Sequence, residues 1–505
     1  MTGRSPRPGP TQQSAPPPSR TAELAGWAAG LRLEELPSRV VGLARSQVLS
    51  QLAAIRTGLA HPLGRRLVSA FGEPLQSEPA RSAAVLAGLG SWLNLDDTAY
   101  AGHLSNSTVA TPLAYARSEG LDGAACLTAV VAANECAARV TAAATLGPFR
   151  GQTAAHTSLI GGVTGRLHCT GAGADTWTHA IGLAMTMPPW TLLHGFLSGD
   201  ARVLTALTPV RAAMDACDAA EAGLTAAPDV VEHPDGFLAR FAVVPLPQAV
   251  NEGLGRRWHT DTLSFKVRPG GPGVDTAVDC ALELRRRSPG ADFAEGIEEI
   301  VVETSRYTTY VAHLTDRHGN GPDTPPSILP LSVPYAVAVA LLTGDLSVAD
   351  FTAPATHEAR RWELSSRVRL VEDPGMTDDL LASAAPFGAA VRQAGAPAVD
   401  WLAAFAGRDA AERAVLGAPE ETFEQSTKHT GSRLTVRWAD GRTATARRDI
   451  PIGAAGEETR ARHWGLVREK FRRAGGPDEA ADLCAHLEEL SPAELAKLTA
   501  TALGG

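Results

Sequence analysis

A short acidic segment carries the first side chains with evident chemistry. Residues 93–98 read Leu-Asn-Leu-Asp-Asp-Thr, and His103 follows five residues later. Carboxylates and imidazoles are side chains that move protons in enzymes, so this spacing is compatible with general acid–base catalysis. The same residues also fit a structural role, because Asp96 and Asp97 can cap a helix and His103 can lie on the surface.

No motif points to nucleotide, redox-cofactor or metal chemistry. The sequence has no Walker A loop and no Rossmann fingerprint, and the Gly-rich residues 269–273 do not form a strand-to-helix turn of the expected kind. Its 6 cysteines are irregularly spaced without a Cys-x-x-Cys pair. The sequence therefore predicts small buried thiols, with no disulfide framework, iron–sulfur cluster or structural zinc.

Net charge and hydrophobicity limit the kinds of partner that the protein can bind. The 505 residues carry a net charge of −9, which argues against a broad nucleic-acid surface, since such a surface needs clustered Lys and Arg. No apolar run is long enough to span a membrane, and the Pro- and Ser-rich residues 1–20 lack the apolar core of a signal peptide. We expect a cytoplasmic protein with a disordered tail over residues 1–20 and no membrane partner.

The elements that must position these side chains are mostly helices. Residues 21–264 are rich in Ala and Leu with apolar spacings of three and four, which predicts a helical domain. The small-residue stretch 123–140 has the composition of a buried helix.

Strand signals begin after residue 264. Residues 297–304 are rich in Ile and Val, and residues 434–438 and 443–445 flank an Asp-Gly pair that predicts a hairpin. Helices are predicted among them, at 274–284 and 334–342. We therefore predict an α+β lid domain over residues 265–452, followed by a helical return to the first domain over residues 453–505. The fold class is mainly α, with a large helical domain and a smaller inserted α+β domain.

Several blocks in this order resemble the MmgE/PrpD family, the relatives of 2-methylcitrate dehydratase and cis-aconitate decarboxylase. They combine an Asp-Asp-Thr loop, a following histidine, a small-residue helix with a Glu, a His-containing segment and a later Tyr-containing helix. The resemblance covers roughly residues 21–475, and its blocks are residues 93–103, 111–116, 123–139, 148–162, 200–223, 265–284 and 331–338.

This resemblance implies a homodimer whose active site lies in a cleft between a helical domain and a lid. Family members dehydrate, decarboxylate or epimerise di- and tricarboxylic acids without metal or organic cofactor. Dehydration of a hydroxy acid requires a base for the carbon-bound proton, a proton donor for the departing hydroxyl, and cations that stabilise the growing negative charge.

Motif positions carry the family's functional residues onto this chain. The catalytic residues so implied are His103, His156, Lys266, Tyr335 and Asp97. The substrate-binding residues so implied are Asn94, Thr98, Arg202, Arg268 and Asp275. We favour His103 and His156 for proton transfer, Lys266 for substrate charge, and Tyr335 as a donor to a leaving oxygen.

The chain departs from the family pattern in the acidic segment around residue 94 and in the basic segment around residue 202. Asn94 stands where an Asp is usual, and Arg202 replaces a Lys, which keeps the charge but changes the geometry. The His and Gly that follow are replaced by Thr205 and Leu207.

The lid entry departs as well. Residues 266–269 read Lys-Val-Arg-Pro instead of Lys-Pro-Tyr-Pro, and Asp275 occupies a His position. An anionic Asp275 would repel a tricarboxylate, unless Arg268 pairs with it. These changes suggest a different acid, either a larger one or a monocarboxylate.

The sequence thus predicts a cofactor-independent lyase, with a dehydratase of a hydroxy-carboxylic acid as the first hypothesis. Decarboxylation and epimerisation or isomerisation of a related acid are alternatives within the same site. A catalytically degraded homologue that binds an acid or a partner protein is the alternative from another class.

Overall fold

The computed structural model describes residues 18–100, 102–147, 151–152, 154–271, 273–290 and 292–504. Most of the predicted tail, residues 1–17, lies outside the described residues. The side chain of Ser19 caps the first helix, which begins at Arg20. The structure is mainly helical with a small mixed sheet, which confirms the predicted fold class.

The helices of the described chain, in order, are α1 (Arg20–Ala29), α2 (Ser38–Ala60), α3 (Pro62–Phe71), α4 (Pro79–Ser91), α5 (Ser105–Thr108), α6 (Ala110–Glu119), α7 (Gly123–Ala144), α8 (Ala154–Cys169), α9 (Ala174–Thr186), α10 (Leu193–Leu197), α11 (Leu204–Glu221), α12 (Phe237–Phe241), α13 (Val274–Arg287), α14 (Arg306–Asp316), α15 (Val333–Thr343), α16 (Ala359–Ser365), α17 (Pro374–Ala382), α18 (Ala389–Ala394), α19 (Ala398–Ala406), α20 (Arg408–Ala414), α21 (Glu457–Arg473), α22 (Asp478–Cys484) and α23 (Pro492–Leu503). The strands are β1 (Thr98–Ala99), β2 (Gly102–His103), β3 (Gly151–Gln152), β4 (Thr191–Leu192), β5 (Ile297–Thr304), β6 (Val368–Glu372), β7 (Ser432–Trp438) and β8 (Thr443–Arg448).

Helix α7 is the centre of the helical body, and the predicted buried helix at 123–140 is confirmed as part of it. Asp122 caps it by accepting a hydrogen bond from the Ala125 amide at 2.9 Å. Inside the helix, Glu135 is fully buried and accepts hydrogen bonds from the backbone amides of His259 and Thr260 at 3.0 and 2.8 Å. This contact fixes the chain just before it leaves the helical body.

The four-stranded sheet has the order β6-β5-β7-β8. The predicted strand at 297–304 and the predicted hairpin are confirmed as β5 and the antiparallel pair β7–β8, with Gly441 in the turn at φ 86°. Strand β6 pairs in parallel with β5 and was not predicted. The predicted helices at 274–284 and 334–342 are confirmed as α13 and α15.

Two large hydrophobic cores divide most of the described part of the chain. The larger one includes buried side chains from residues 24–265, 380–423 and 467–502, whereas the smaller one includes side chains from residues 274–364 and 434–446. The predicted lid segment, residues 265–452, therefore contributes to both cores. Its α17–α20 region packs with the helical body, and its sheet packs on α13 and α15.

The chain leaves the helical body and returns to it at adjacent points. The Phe265 amide donates a hydrogen bond to the Gly453 carbonyl at 2.7 Å, next to the predicted boundaries at residues 264 and 453. Gly453 has φ 88°, and a Cβ there would lie 2.1 Å from the Phe265 oxygen, so only glycine fits this crossing. No helix in the described part of the chain has both the length and the apolar character needed to span a bilayer.

Candidate active site

A cavity of about 230 Å³ opens beside this crossing. Its wall combines parts that are far apart in sequence: the loop that contains β1 and β2, the segment that leads into α13, and residues just before β7. The polar side chains that line it include Asn94, Thr98, His103, Arg202, Lys266, Arg268, Asp275 and Lys428.

A histidine–carboxylate pair lies at this cavity. His103 Nδ1 is 2.6 Å from Asp96 Oδ2, and that same oxygen accepts a hydrogen bond from the Asn106 amide at 2.9 Å. The β1–β2 hairpin sets the position of the imidazole, because His103 pairs with Thr98 across it. With Nδ1 engaged by Asp96, Nε2 is the nitrogen that His103 can offer to a ligand.

Burial and charge set the protonation of this pair. Burial lowers the pKa of His103, and the adjacent Asp96 only partly opposes that effect. For Asp96, burial raises the pKa, but the interaction with His103, including its hydrogen bond, and the positive charges of Lys266 and Arg202 outweigh it and leave the pKa below its usual value. The pair therefore consists of a neutral imidazole held by an ionised carboxylate at neutral pH.

Two lysines provide positive charge at the same cavity. Lys428 Nζ donates a hydrogen bond to Thr98 Oγ1 at 3.1 Å. Burial and the neighbouring Lys266 ammonium lower the pKa of Lys428 to about 8, against the opposing charge of Asp275. Burial also lowers the pKa of Lys266, with Asp96 and Asp275 opposing. Both ammonium groups therefore lose their protons at a lower pH than an ordinary lysine does.

Asp275 is the acidic member of the cavity wall. Burial raises its pKa to about 6, although Lys266 nearby favours the charged form. Arg268, which the sequence offered as a possible partner for Asp275, makes its ion pair with Asp279 instead. Lys266 therefore takes the place of Arg268 as the main compensating charge for Asp275.

Arg202 and Asn94 form one unit at the cavity edge. The Arg202 guanidinium donates to the Asn94 side-chain oxygen, and the Asn94 amide donates to the Gly270 carbonyl. Asn94 has φ 57°, a left-handed conformation that asparagine tolerates. Burial lowers the pKa of Arg202 to about 10, still well above neutrality. Because Asn94 carries no charge, it holds the Arg202 guanidinium beside the cavity without neutralising it.

Comparison with known families matches the chain in two parts. The MmgE/PrpD N-terminal domain matches residues 22–245, and the MmgE/PrpD C-terminal domain matches residues 272–394. The chain belongs to the MmgE/PrpD family. No curated protein matches the chain significantly.

The MmgE/PrpD cavity brings together most of the predicted site residues, but three lie elsewhere. Asp97 is fully buried away from the cavity and accepts hydrogen bonds from Ser50 and Ser105 at 2.7 and 3.0 Å, with Lys470 Nζ 3.7 Å away. Its neighbour Asp96 is the carboxylate that contacts His103. Asp97 is thus placed to hold the loop, not to contact substrate.

His156 is not among the cavity's lining residues. Its ring packs against Phe237 and Phe241 at centroid distances of 5.0 and 4.8 Å, and neither ring nitrogen has a hydrogen-bond partner among the described residues. Burial lowers the pKa of His156 to about 3, so it is neutral. This apolar surrounding does not support the predicted role in proton transfer.

Tyr335 lies in the core of the sheet unit. Its hydroxyl donates to the Asp350 carbonyl at 2.6 Å, and its ring packs against Trp362 with centroids 4.8 Å apart. Because this hydroxyl is already bonded inside the smaller core, the predicted donation to a leaving oxygen is not supported.

Sequence reasoning missed two polar members of the MmgE/PrpD site. Asp96 belongs to the predicted acidic loop, but the predicted site includes Asp97 in its place, although Asp96 stands seven residues before His103. Lys428 lies outside the blocks that resemble the family, and nothing in the neighbouring sequence marks it. In the part of the chain that the structure describes, no group of three or more His, Cys, Asp and Glu side chains is placed to hold a metal ion.

Proposed function

We propose that the protein is a lyase that dehydrates a hydroxy-carboxylic acid by removing the proton next to its carboxylate. The observation that supports this most directly is the His103–Asp96 pair at a cavity that also holds Lys266 and Lys428. A neutral, oriented imidazole is suited to accept a proton, and the adjacent cations are suited to stabilise the enediolate that follows.

Each side chain then has a defined role. The ammonium of Lys266 binds the substrate carboxylate, and His103 Nε2 takes the proton from the adjacent carbon. The electron pair of that C–H bond first enters the carboxylate to give the enediolate, and then forms the new C=C bond as the C–O bond of the hydroxyl on the neighbouring carbon breaks. Lys428, with a pKa of about 8, donates a proton to the departing hydroxyl, so that water leaves. Proton exchange with solvent restores His103 and Lys428.

Asp96 is a positioning residue in this scheme. Its carboxylate fixes the imidazole tautomer by accepting from Nδ1, and it stabilises the imidazolium that forms once the proton has moved. Arg202 adds positive charge at the cavity edge, through the contact that Asn94 makes with it.

The proposal is tested by turnover. Wild-type protein and His103→Ala would be incubated with a panel of hydroxy-carboxylic acids and followed by proton NMR. With the wild type alone, we expect the signals of an unsaturated acid to appear and the signal of the proton on the hydroxyl-bearing carbon to disappear. Loss of carbon dioxide, or inversion of a stereocentre without water loss, would instead assign decarboxylase or epimerase chemistry. Tight binding without any turnover across the panel would favour the binding homologue.

A further inference from the structure

Aromatic rings form a continuous part of the cavity wall. Tyr307 and Phe387 have ring centroids 5.1 Å apart, and Phe387 and Trp401 follow at 5.7 Å. All three line the cavity. They come from α14, from the turn Ala384–Gly388 and from α19, so three separate elements converge to build one aromatic surface.

Gly147 extends this surface to a fourth ring. The Trp401 indole donates to the Gly147 carbonyl at 3.1 Å, and a Cβ on Gly147 would lie 2.9 Å from Phe241 Cε1. The absence of a side chain at Gly147 therefore lets Phe241 approach closely. Tyr307, Phe387, Trp401 and Phe241 are called the aromatic arc below.

An aliphatic patch joins the apolar wall to the charged groups. Leu197 and Leu331 line the cavity and pack with Phe196 in a small buried cluster. The Arg202 guanidinium lies 4.6 Å from the centre of the Phe196 ring. Phe196 thus joins the positively charged side chain of Arg202 to the apolar part of the cavity wall.

The wall is unsuited to a small polyacid. A substrate with only carboxylates and hydroxyls would contact the charged groups but would leave the aromatic arc facing water, which forgoes the gain from burying apolar surface. Asp275 would also repel a second carboxylate placed near Lys266. One carboxylate and one apolar group satisfy both parts of the wall.

We infer that the substrate is an amphipathic acid, with a single carboxylate at the lysines and an apolar group of about phenyl size against the aromatic arc. The inference rests on the proposed function for the position of the carboxylate. Aromatic pairs of this kind add attraction beyond simple area burial, which gives the arc selectivity for such a group.

Calorimetric binding of two acids tests the inference. The probes are 3-hydroxy-3-phenylpropanoate and malate, which are both 3-hydroxy acids and differ only in whether the hydroxyl-bearing carbon carries a phenyl group or a second carboxylate. We expect the wild type to bind hydroxyphenylpropanoate at least ~10-fold more tightly than malate, about the effect of burying two methylene groups. Trp401→Leu should lose most of this preference, while the exposed control Leu416→Ala should keep it.

The outcomes separate the inference from the proposed function. Equal or tighter binding of malate, or no binding of hydroxyphenylpropanoate, would overturn the inference, and wild-type protein alone decides this. Tight binding of hydroxyphenylpropanoate without proton exchange at the carbon next to its carboxylate would leave the inference standing and count against the proposed lyase. Exchange or water loss with small polyacids only would leave the lyase standing and refute the inference.

Discussion

At the scale of single residues, the site depends on which of two adjacent carboxylates faces the histidine. Asp96 contacts His103 at 2.6 Å, whereas Asp97 points to Ser50 and Ser105. The Asp-Asp-Thr spacing pointed to this loop but did not distinguish these roles, since only the folded loop shows that the two neighbouring carboxylates face different partners. Lys428 was out of reach of any local pattern because only the tertiary fold brings it to Thr98.

Replacing Asp96 tests the positioning role. Asp96→Asn keeps the shape of the side chain but removes the charge that orients and stabilises His103. We expect kcat/KM to fall by about 10²-fold or more, as with other carboxylates that orient a catalytic histidine. Steady-state kinetics would measure it, with circular dichroism to show an intact fold. A purely structural role would lower the melting temperature and leave the kcat/KM of the folded fraction unchanged.

The pH dependence of the reaction follows from two groups with opposite requirements. His103 must be neutral to accept a proton, and its pKa lies below the usual value, so activity is lost only as the pH falls through that lowered pKa. Lys428 must be protonated to donate, and its pKa is about 8, so activity is lost as the pH rises above about 8. We expect a bell-shaped profile of kcat/KM.

Lys428→Arg provides the matched control for this profile. Arginine stays charged across the range but does not release its proton, so kcat should fall sharply, and the residual activity should keep the acid limb and lose the alkaline limb. An alkaline limb that is unchanged in this variant would show that another group controls it.

At the scale of elements, local patterns predicted what local interactions determine. The β7–β8 hairpin has a strong turn signal at Gly441, and α7 and α13 have clear helical composition. Strand β6 lacks such a signal, because its residues are partly exposed and its parallel pairing with β5 joins positions about seventy residues apart. The packing of residues 380–423 with the helical body is equally non-local.

The return helix α21 supports the loop that contains Leu95 and Asp97 through a buried lysine. Lys470 Nζ donates to Ser50 and to the Leu95 carbonyl at 2.6 and 2.5 Å, and it lies 3.7 Å from the buried Asp97. Lys470→Ala would leave Asp97 buried without its cation. We expect a loss of about 3–5 kcal/mol in the free energy of unfolding.

Thermal or urea unfolding would measure this loss, with Lys497→Ala as the control. Lys497 also pairs with an acid, Glu479 at 2.6 Å, but both side chains are more than half exposed. Its replacement should change stability by less than about 1 kcal/mol. Equal effects of the two substitutions would mean that Lys470 is not a buried support of the loop.

At the scale of the whole molecule, the cavity exists only because the helical body and the sheet unit meet. The loop before β1 and residue Lys428 come from different ends of the chain, and the crossing at Phe265 and Gly453 keeps them adjacent. Family resemblance predicted this inter-domain location, while composition alone predicted only the presence of the two parts.

Membership of the MmgE/PrpD family also leads us to expect a homodimer. Size-exclusion chromatography with multi-angle light scattering should give twice the mass of one chain at micromolar concentration. Exposed apolar side chains at Met187 and Leu192 provide surface that such an assembly can cover. A single-chain mass that persists as the concentration is raised tenfold would contradict this expectation.

The most direct test of the account is hydrogen–deuterium exchange at the substrate carbon. An acid that binds would be incubated in D₂O with wild type, His103→Ala and His156→Leu, and deuterium incorporation followed by mass spectrometry. We predict exchange with the wild type, a loss of at least ~100-fold with His103→Ala, and near wild-type exchange with His156→Leu. Full exchange by His103→Ala, or its loss in a folded His156→Leu, would contradict the assignment of His103 as the base.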